Sequence, residues 1–338
     1  MNKEKIIIAH NKPTFDKAEE IAAIKVLRSG WVAQGKEVEA FENEFCTFLG
    51  LSKGHAVAVS SGTAALFLAL TVLGAKGKKV SLPVYACSAL RNATGLSGGK
   101  EILLDTEKGS PNVDLNQLNK SGADLAIVPH MFGLPVDISK VKGMDIIEDC
   151  AQALGASVKG IPVGLQGKVG IFSFYATKLM TSGGQGGMVV SKDKTMIDSI
   201  RDFREFDQRH DDKSRFNFQM TDLQAAIGRI QLNKLPSFLK RRSEIFEQYK
   251  RSGLDMLDIE DNAIKPIRYR AVLRTRDPKG IISSLERKGV KAIIPIEDWE
   301  LLKVMPNALK LTKGTVSLPL YPSLKDTEVD VILSGVKQ

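Results

Sequence analysis

The sequence predicts an α/β fold: a mainly parallel seven-stranded sheet covered by helices, followed by a smaller C-terminal α+β domain. Two observations support this. Short β-branched runs alternate with helical patterns through the first two-thirds of the chain, and the character of the sequence changes after residue 191. Such alternation is typical of parallel sheets with helices on both faces. Because 338 residues suffice for two domains, we expect a large one over residues 1–236 and a small one over residues 237–338.

Seven short segments are the predicted strands of the sheet. Each is rich in aliphatic or β-branched residues, and they cover residues 55–60, 78–83, 101–105, 125–130, 145–149, 169–174 and 187–191. Four helical patterns accompany them. Two end at glycines, Gly30 and Gly50, where helices commonly stop, and the others cover residues 63–74 and 87–96.

The chain beyond the last predicted strand is expected to hold two helices in succession. Thr221 is a suitable N-cap for the first. Leu223, Ile227 and Ile230 then fall on one helical stripe, which we assign to the core more readily than to an interface. Pro236 is predicted to start the second helix. The remaining predicted elements are a strand over residues 269–275 and a helix over residues 278–289.

Composition indicates an ordinary globular protein, with 43% hydrophobic and 26% charged residues. No apolar run approaches the length of a membrane span, and the N-terminal apolar stretch, Ile6–Ala9, is too short for a signal peptide. The cysteines are scattered and odd in number: Cys46, Cys87 and Cys150. We therefore expect a cytoplasmic protein with no membrane partner.

The net charge of +9 leaves several kinds of partner open. Basic residues are interleaved with acids along the chain, and the only tight cluster, Lys240 to Arg242, lies within an apparent helix. Nucleic-acid binding is therefore not expected. A phosphate-bearing substrate would suit the charge. The four histidines stand apart from one another and no ligand cluster accompanies them, so no metal is expected.

Three polar features stand out near predicted strand ends. Residues 60–66, SSGTAAL, turn a strand into a helix, where free N–H groups would hold a phosphate, although an ordinary capped helix start has the same composition. Asp149 ends the strand DIIED. Lys178 lies in GIFSFYATKLMTSGGQGGMVV, a stretch with no acidic residue to pair with it. Burying an unpaired ammonium is costly, so such a lysine points to solvent or is used chemically.

Pyridoxal 5′-phosphate is a cofactor that requires all three features. It needs a phosphate cradle, a carboxylate that keeps its ring nitrogen protonated, and a lysine that forms a Schiff base. Asp149 and Lys178 are the candidates for the last two roles, and Ser173 is placed to reach the phosphate from a neighbouring strand end.

The chain resembles the DegT/DnrJ/EryC1/StrS family of pyridoxal-phosphate-dependent sugar aminotransferases, which have fold type I. The resemblance extends over most of the chain. The matching motifs are SGWVAQGKEVEAFENEF (29–45), SSGTAALFLAL (60–70), PHMFGLPVDI (129–138), IIEDCAQALGA (146–156), FSFYATK (172–178), FNFQMTDLQAAIGRIQL (216–232) and SLPLYPSL (317–324). Together these motifs are highly specific, whereas none would be so alone.

The resemblance implies a role for each matching residue. Lys178 would form the Schiff base and then move the proton, while Asp149 would pair with the ring nitrogen. Gln152 would lie beside the ring, near its 3-hydroxyl. The residues implied to hold the phosphate are Gly62, Thr63 and Ser173. Asn217 would reach the phosphate from the other subunit, which implies a homodimer with shared active sites.

The chain also departs from the family pattern. Where the family commonly stacks an aromatic residue on the cofactor ring, the closest alignment gives Cys87, with Tyr85 two residues earlier, and either is a candidate to cover the ring. Gln185 replaces the usual acid in the GQGG stretch. Residues 291–301, KAIIPIEDWEL, stand where the family often has an HYxPLH-like stretch. Trp31 is a candidate for the sugar side of the pocket, with simple packing as the alternative.

The implied function is amino transfer from an amino acid, L-glutamate above all, to a nucleotide-linked keto sugar for amino-sugar or polysaccharide biosynthesis. One rival is a related sugar dehydrase, but such enzymes carry histidine in the lysine's place, and here Lys178 stands there. The other rival is a non-catalytic regulator with the same fold, which would have no need of this set of residues.

Overall fold

A computed structural model describes residues 8–336 of the chain. Two residues of the predicted N-terminal apolar stretch, Ile6 and Ile7, lie outside the described residues. Within residues 8–336, no helix combines the length and the hydropathy that crossing a membrane requires.

The seven predicted strands form one sheet, and each agrees with its prediction to within one residue at either end. They are β1 (Ala56–Val59), β2 (Lys79–Pro83), β3 (Lys100–Leu104), β4 (Leu125–Pro129), β5 (Asp145–Asp149), β8 (Val169–Ser173) and β9 (Gly187–Val190). The spatial order is β1-β9-β8-β5-β4-β2-β3. Only β9 runs antiparallel to its neighbours, so the predicted mainly parallel sheet is confirmed.

Helices cover both faces of this sheet. The N-terminal helices are α1 (Lys17–Ser29) and α2 (Lys36–Leu49), which end at Gly30 and Gly50 as predicted. The helices between or after the strands are α3 (Gly62–Val72), α4 (Ala89–Leu96), α5 (Leu115–Lys120) and α6 (Lys194–Arg204). Side chains of β1 alternate between the faces: Ala56 and Ala58 pack towards α2, whereas Val57 and Val59 pack towards α3.

Helix α7 (Asp222–Arg251) is a single helix of 30 residues, so the predicted start of a separate helix at Pro236 is wrong. A proline inside a helix costs about 3 kcal/mol. Burial of Leu232 and Leu235 before the proline and of Phe246 after it offsets this cost, since each buried side chain contributes about 2 kcal/mol. Thr221 caps α7 as predicted: its hydroxyl accepts the N–H of Gln224 at 3.2 Å.

The predicted apolar stripe of α7 is not its main buried face. Leu223, Ile227 and Ile230 are half-buried, whereas the fully buried positions include Ala225 and Leu235. Helices α1 and α2 pack against α7, and the side chains that they bury belong to this other face. The stripe therefore lies at the edge of the core.

The C-terminal part is an α+β unit, as predicted. Strands β11 (Ala271–Arg274) and β12 (Thr315–Leu318) pair antiparallel, and α8 (Pro278–Arg287), α9 (Pro306–Gly314) and α10 (Asp326–Val336) accompany them. A small sheet of β6 (Ser157–Val158), β7 (Ile161–Pro162) and β10 (Ile264–Lys265) joins the two parts. Because α7 supplies side chains to both cores, the division at residue 236 stays a proposal.

Candidate functional site

A cavity of about 280 Å³ opens at the carboxyl ends of the central strands. In open α/β sheets this is the usual place for a ligand. Seven of the nine residues proposed from the sequence line it: Gly62, Thr63, Cys87, Asp149, Gln152, Ser173 and Lys178. The fold thus brings together side chains that are more than one hundred residues apart in the chain.

The N-terminus of α3 forms one end of the cavity. The hydroxyl of Ser61 caps the helix by accepting the N–H of Ala64 at 3.1 Å. The first two N–H groups of the helix, those of Gly62 and Thr63, have no intrahelical acceptor and carry the positive end of the helix dipole. A Cβ on Gly62 would lie 2.9 Å from Cβ of Ser173, so only glycine lets the Ser173 hydroxyl approach the helix start. This is a cradle for an anion.

Asp149, at the end of β5, is a buried carboxyl group with few hydrogen bonds. Its Oδ1 accepts the N–H of Ala151 at 3.0 Å. Burial raises the pKa of Asp149, and this effect outweighs the opposing influence of that hydrogen bond and of the Lys178 charge. This buried carboxylate can therefore accept a further hydrogen bond, such as one from a protonated ring nitrogen.

The neighbouring residue, Glu148, points to the other side of β5 and is fully satisfied. Its Oε2 accepts from Nε2 of His130 at 3.0 Å, while its Oε1 accepts the N–H groups of Gln166 and Gly167, each at 2.7 Å. Nδ1 of His130 accepts the N–H of Val136, so Nε2 must carry the ring proton. These bonds outweigh burial and lower the pKa of Glu148.

Cys150 lies beside this pair, so that a histidine, a glutamate and a cysteine come close together. The hydrogen bonds to Val136, Gln166 and Gly167 already use the imidazole and carboxylate atoms. Burial raises the pKa of the Cys150 thiol well above its ordinary value, which keeps the sulfur protonated. The cluster has the character of a structural hydrogen-bond network.

Gln152 is held in place by the turn that follows β4. Its Oε1 accepts the N–H of Phe132 at 2.8 Å. Phe132 has a φ of 59°, a left-handed conformation that is uncommon outside glycine, and this hydrogen bond helps to hold it. The carboxamide of Gln152 thus has a fixed orientation on the cavity wall.

Lys178 reaches the same cavity as Asp149 and has no ion-pair partner. Among residues 8–336, no carboxylate oxygen lies within 4.0 Å of its Nζ, which instead lies over the ring of Tyr269, 5.3 Å from the centroid. The carboxamide of Asn11 donates to the carbonyl of Thr177 at 2.7 Å and fixes the backbone next to the lysine. The Lys178 amine is therefore held at the cavity, and within residues 8–336 no carboxylate pairs with it.

Two proposed residues lie outside the cavity lining. Tyr85 is fully buried and packs edge-on against Phe132, at 6.1 Å between ring centroids, whereas Cys87 is exposed to the cavity. Of the two candidates for covering the ring, Cys87 lines the cavity and Tyr85 does not. Asn217 is exposed, and its Oδ1 accepts the N–H of Gln219 at 3.1 Å. The expectation for Asn217 concerned a second subunit, which a single chain does not test.

Other residues line the cavity without having been proposed as site residues. They are Ser61, Leu66, Ala86, Ala89, Leu90, Pro129, His130, Met131, Ala151, Ile171, Tyr175 and Gln185. Of these, Gln185 could have been proposed from the sequence, because it departs from the family pattern. Trp31, in contrast, lies on the surface: its indole N–H donates to the carbonyl of Gln34 at 3.1 Å, and the Gln34 carboxamide donates to Glu205.

Comparison with known proteins gives a consistent result. The profile of the DegT/DnrJ/EryC1/StrS aminotransferase family matches residues 13–337. GDP-perosamine synthase of Vibrio cholerae is 34% identical, over 96% of this chain and 97% of that protein. A dTDP-3-amino-3,4,6-trideoxy-alpha-D-glucose transaminase of Streptomyces venezuelae is 29% identical, over 95% and 92%. The solved structure of an aminotransferase, TlmJ from Streptoalloteichus hindustanus, superposes with a TM-score of 0.91 at 26% identity, covering 98% of each chain.

The chain belongs to the DegT/DnrJ/EryC1/StrS aminotransferase family, whose members are pyridoxal-phosphate-dependent enzymes. The cavity suits this cofactor on physical grounds. It offers a helix N-terminus with a hydroxyl for a phosphate, a buried carboxyl group with a spare acceptor, and an amine without a counter-ion. The predicted family, fold type and cofactor are confirmed.

Proposed function

We propose that this member of the aminotransferase family moves the amino group of L-glutamate to a keto sugar linked to a nucleotide. The observation that carries the proposal is the meeting of Lys178 and Asp149 in one cavity, with an anion cradle at its end. Relatives that act on GDP- or dTDP-linked sugars support the substrate class. Because those relatives use different nucleotides, the nucleotide stays open.

Each site residue has a distinct task in this proposal. Gly62, Thr63 and Ser173 bind the phosphate of the cofactor, and the carboxylate of Asp149 holds a proton on its ring nitrogen. When bound, pyridoxal phosphate supplies the electron sink that makes the Cα–H bond of the amino donor acidic. The amine of Lys178 would hold the cofactor before the donor binds and would afterwards act as the base that removes the Cα proton of the donor and as the acid that returns it. Gln152 orients the ring from the side.

We further propose that the enzyme is a homodimer with shared active sites. Large apolar side chains of α1 and the segment around it are exposed, including Ile21 (65%), Leu27 (57%) and Trp31 (61%). Scattered apolar residues are common on surfaces, but a concentrated group of this kind is typical of an interface. Asn217, also exposed, would then reach the phosphate in the partner's site, and a cytoplasmic setting would supply the substrates.

The first test follows the cofactor rather than a product. Adding L-glutamate to the cofactor-loaded protein should shift the cofactor's absorbance band from the pyridoxal to the pyridoxamine form. Lys178→Ala should bind the cofactor without a covalent bond and slow the shift about 10³-fold or more, because within residues 8–336 no other lysine lines the cavity to move the proton. Absence of a shift with every common amino acid would contradict amino transfer.

A second test identifies the acceptor. The pyridoxamine form is incubated with a panel of nucleotide-linked keto sugars, and mass spectrometry reports which one gains the amine. A sugar dehydrase would instead remove a hydroxyl group from the sugar, and a non-catalytic regulator would leave every sugar unchanged. Sedimentation analysis of the same preparation measures whether the protein is a dimer.

A further inference from the structure

A second, smaller cavity is lined by Thr177, the residue before Lys178, and shares no lining residue with the first cavity. Its volume is about 90 Å³, and its lining includes Asn11, Thr177, Tyr269, Arg270 and Ser317. Since one water occupies about 30 Å³, the cavity holds roughly three water-sized groups. A carboxylate, with three heavy atoms, fits this space, whereas a nucleoside diphosphate does not.

Arg270 is the unusual residue of this cavity. Its Nη1 atom is buried and has no hydrogen-bond partner, and within residues 8–336 no carboxylate lies within 4.0 Å of the guanidinium group. Its Cζ lies 5.7 Å from the ring centroid of Tyr269 and 6.0 Å from that of Phe132. Such ring contacts contribute about 1 kcal/mol, less than the cost of a buried charged donor without an acceptor. The guanidinium group therefore lacks an anion.

The surroundings of Arg270 are positive and are not neutralised by acids. Arg242 is fully buried, and its acceptors within residues 8–336 are all backbone carbonyl groups, those of Tyr269 and Leu320 among them. The pKa of His10, on the cavity wall, is lowered from 6.5 to about 3. Burial is the main cause, and the positive charges of Arg270, Lys291 and Arg242 add to it. His10 is thus neutral at pH 7 and adds no positive charge to the cavity.

The cavity lies within reach of the reacting amine. Nζ of Lys178 is 5.3 Å and Cζ of Arg270 is 5.7 Å from the centroid of the same Tyr269 ring, so these two atoms are at most 11.0 Å apart. In an extended glutamate, bond lengths of about 1.5 Å separate the amine from the distal carboxylate by about 6 Å. With a further hydrogen bond of about 2.9 Å to a guanidinium nitrogen, a glutamate whose amine replaces that of Lys178 spans most of this upper limit, so Arg270 can bind its carboxylate.

We propose that this cavity binds a carboxylate group of the amino donor and that Arg270 is the residue that binds it. The inference rests on the proposed function, because it needs an amino-acid donor at Lys178. The ligand chemistry is a carboxylate, which glutamate carries both on Cα and at the end of its side chain. Arg270 would thereby select anionic donors over amines that lack a carboxylate.

The test measures binding without reaction as well as with it. Glutarate, a dicarboxylate that has no amine, is titrated into the cofactor-loaded protein by calorimetry. Arg270→Met should weaken glutarate binding about 10- to 100-fold, which is the range for loss of one charge-assisted hydrogen-bond pair. The matched control is Arg274→Met, at the end of β11, where the arginine is exposed and pairs with Asp255. It should change the affinity less than twofold.

The absorbance shift then distinguishes the two carboxylates. L-Alanine carries only the carboxylate on Cα, and 4-aminobutyrate carries only the distal one. If Arg270 binds the Cα carboxylate, Arg270→Met should raise the half-saturating concentration of L-alanine as much as that of L-glutamate. If it binds the distal carboxylate, L-alanine should be unaffected and 4-aminobutyrate should be affected.

Equal glutarate affinity in Arg270→Met and Arg274→Met would overturn the proposal. Should Arg270→Met fail to fold, as judged by circular dichroism, Arg270→Gln provides a second neutral variant, and affinity within twofold of the unmodified protein would have the same meaning. A wild-type protein that binds glutarate through Arg270 but shows no absorbance shift with any donor would instead contradict the proposed function and leave the carboxylate site standing.

Discussion

Glu148 and Asp149 are adjacent carboxyl groups at the end of one strand, both buried, yet their surroundings differ completely. Glu148 accepts hydrogen bonds from His130, Gln166 and Gly167, and its pKa is lowered. Asp149 accepts the N–H of Ala151 on the other side of the strand, and burial raises its pKa. A buried carboxylate that has all its hydrogen-bond partners stabilises the fold, whereas a buried carboxylate that lacks some of them is available to bind a ligand.

Of the variants that test this comparison, Asp149→Asn is expected to have the largest effect. Asparagine keeps the shape but cannot hold a proton on the ring nitrogen of the cofactor, so the rate of the L-glutamate half-reaction should fall about 10³-fold, or about 4 kcal/mol. The cofactor-free protein should be as stable as the unmodified one or more so, because a carboxyl group with a raised pKa is costly to ionise. Stopped-flow absorbance and urea unfolding measure the two effects. A large loss of stability would mean that Asp149 also serves the fold.

The converse variant, Glu148→Gln, should mainly destabilise the fold. Its amide nitrogen would face Nε2–H of His130, so two donors would oppose each other inside the core. We expect the free energy of unfolding to fall by about 3 kcal/mol, measured by urea unfolding of the cofactor-free protein. The half-reaction rate of the folded fraction should stay within a few-fold. A rate as low as that of Asp149→Asn would remove the distinction between the two carboxyl groups.

His10 extends the comparison to a half-buried base beside unpaired charges. Its folded pKa of about 3 lies below 6.5, so only the unfolded chain binds a proton as the pH falls through 6.5 towards 3, and stability is lost in that window. Between pH 7 and pH 5 the loss from this residue should be about 2 kcal/mol. Urea unfolding of His10→Gln at both pH values should show a loss smaller by that amount. An identical loss in both proteins would contradict the assignment.

The smallest effect is expected at Cys87, the cavity-lining candidate for covering the cofactor ring. Cys87→Ala should weaken cofactor binding less than tenfold, or about 1 kcal/mol, because it removes one small side chain from the cavity wall. Tyr85→Phe is the matched control and should leave the affinity unchanged, since Tyr85 is buried away from the cavity. Fluorescence titration with pyridoxal phosphate measures both. A larger effect at Tyr85 would reverse the choice between the two residues.

Much of the fold followed from local patterns. The strands agreed with prediction because aliphatic runs between turn residues are local signals, and the ends of α1 and α2 at Gly30 and Gly50 were equally local. Pro236 shows the limit of such reasoning. A proline usually marks a helix start, but burial of distant side chains against α7 outweighed that preference.

By itself, the sequence determined the strands of the main sheet, the family to which the chain belongs, and seven residues that line the cavity, because strand ends and helix starts are set within a few residues. The tertiary structure decided which charges are neutralised. Glu148 meets His130, which follows another strand, Lys178 and Arg270 pair with no acid within residues 8–336, and Cys87 rather than Tyr85 faces the cavity. The physical reason is that the cost of a buried charge depends on every group packed around it, and those groups come from distant parts of the chain.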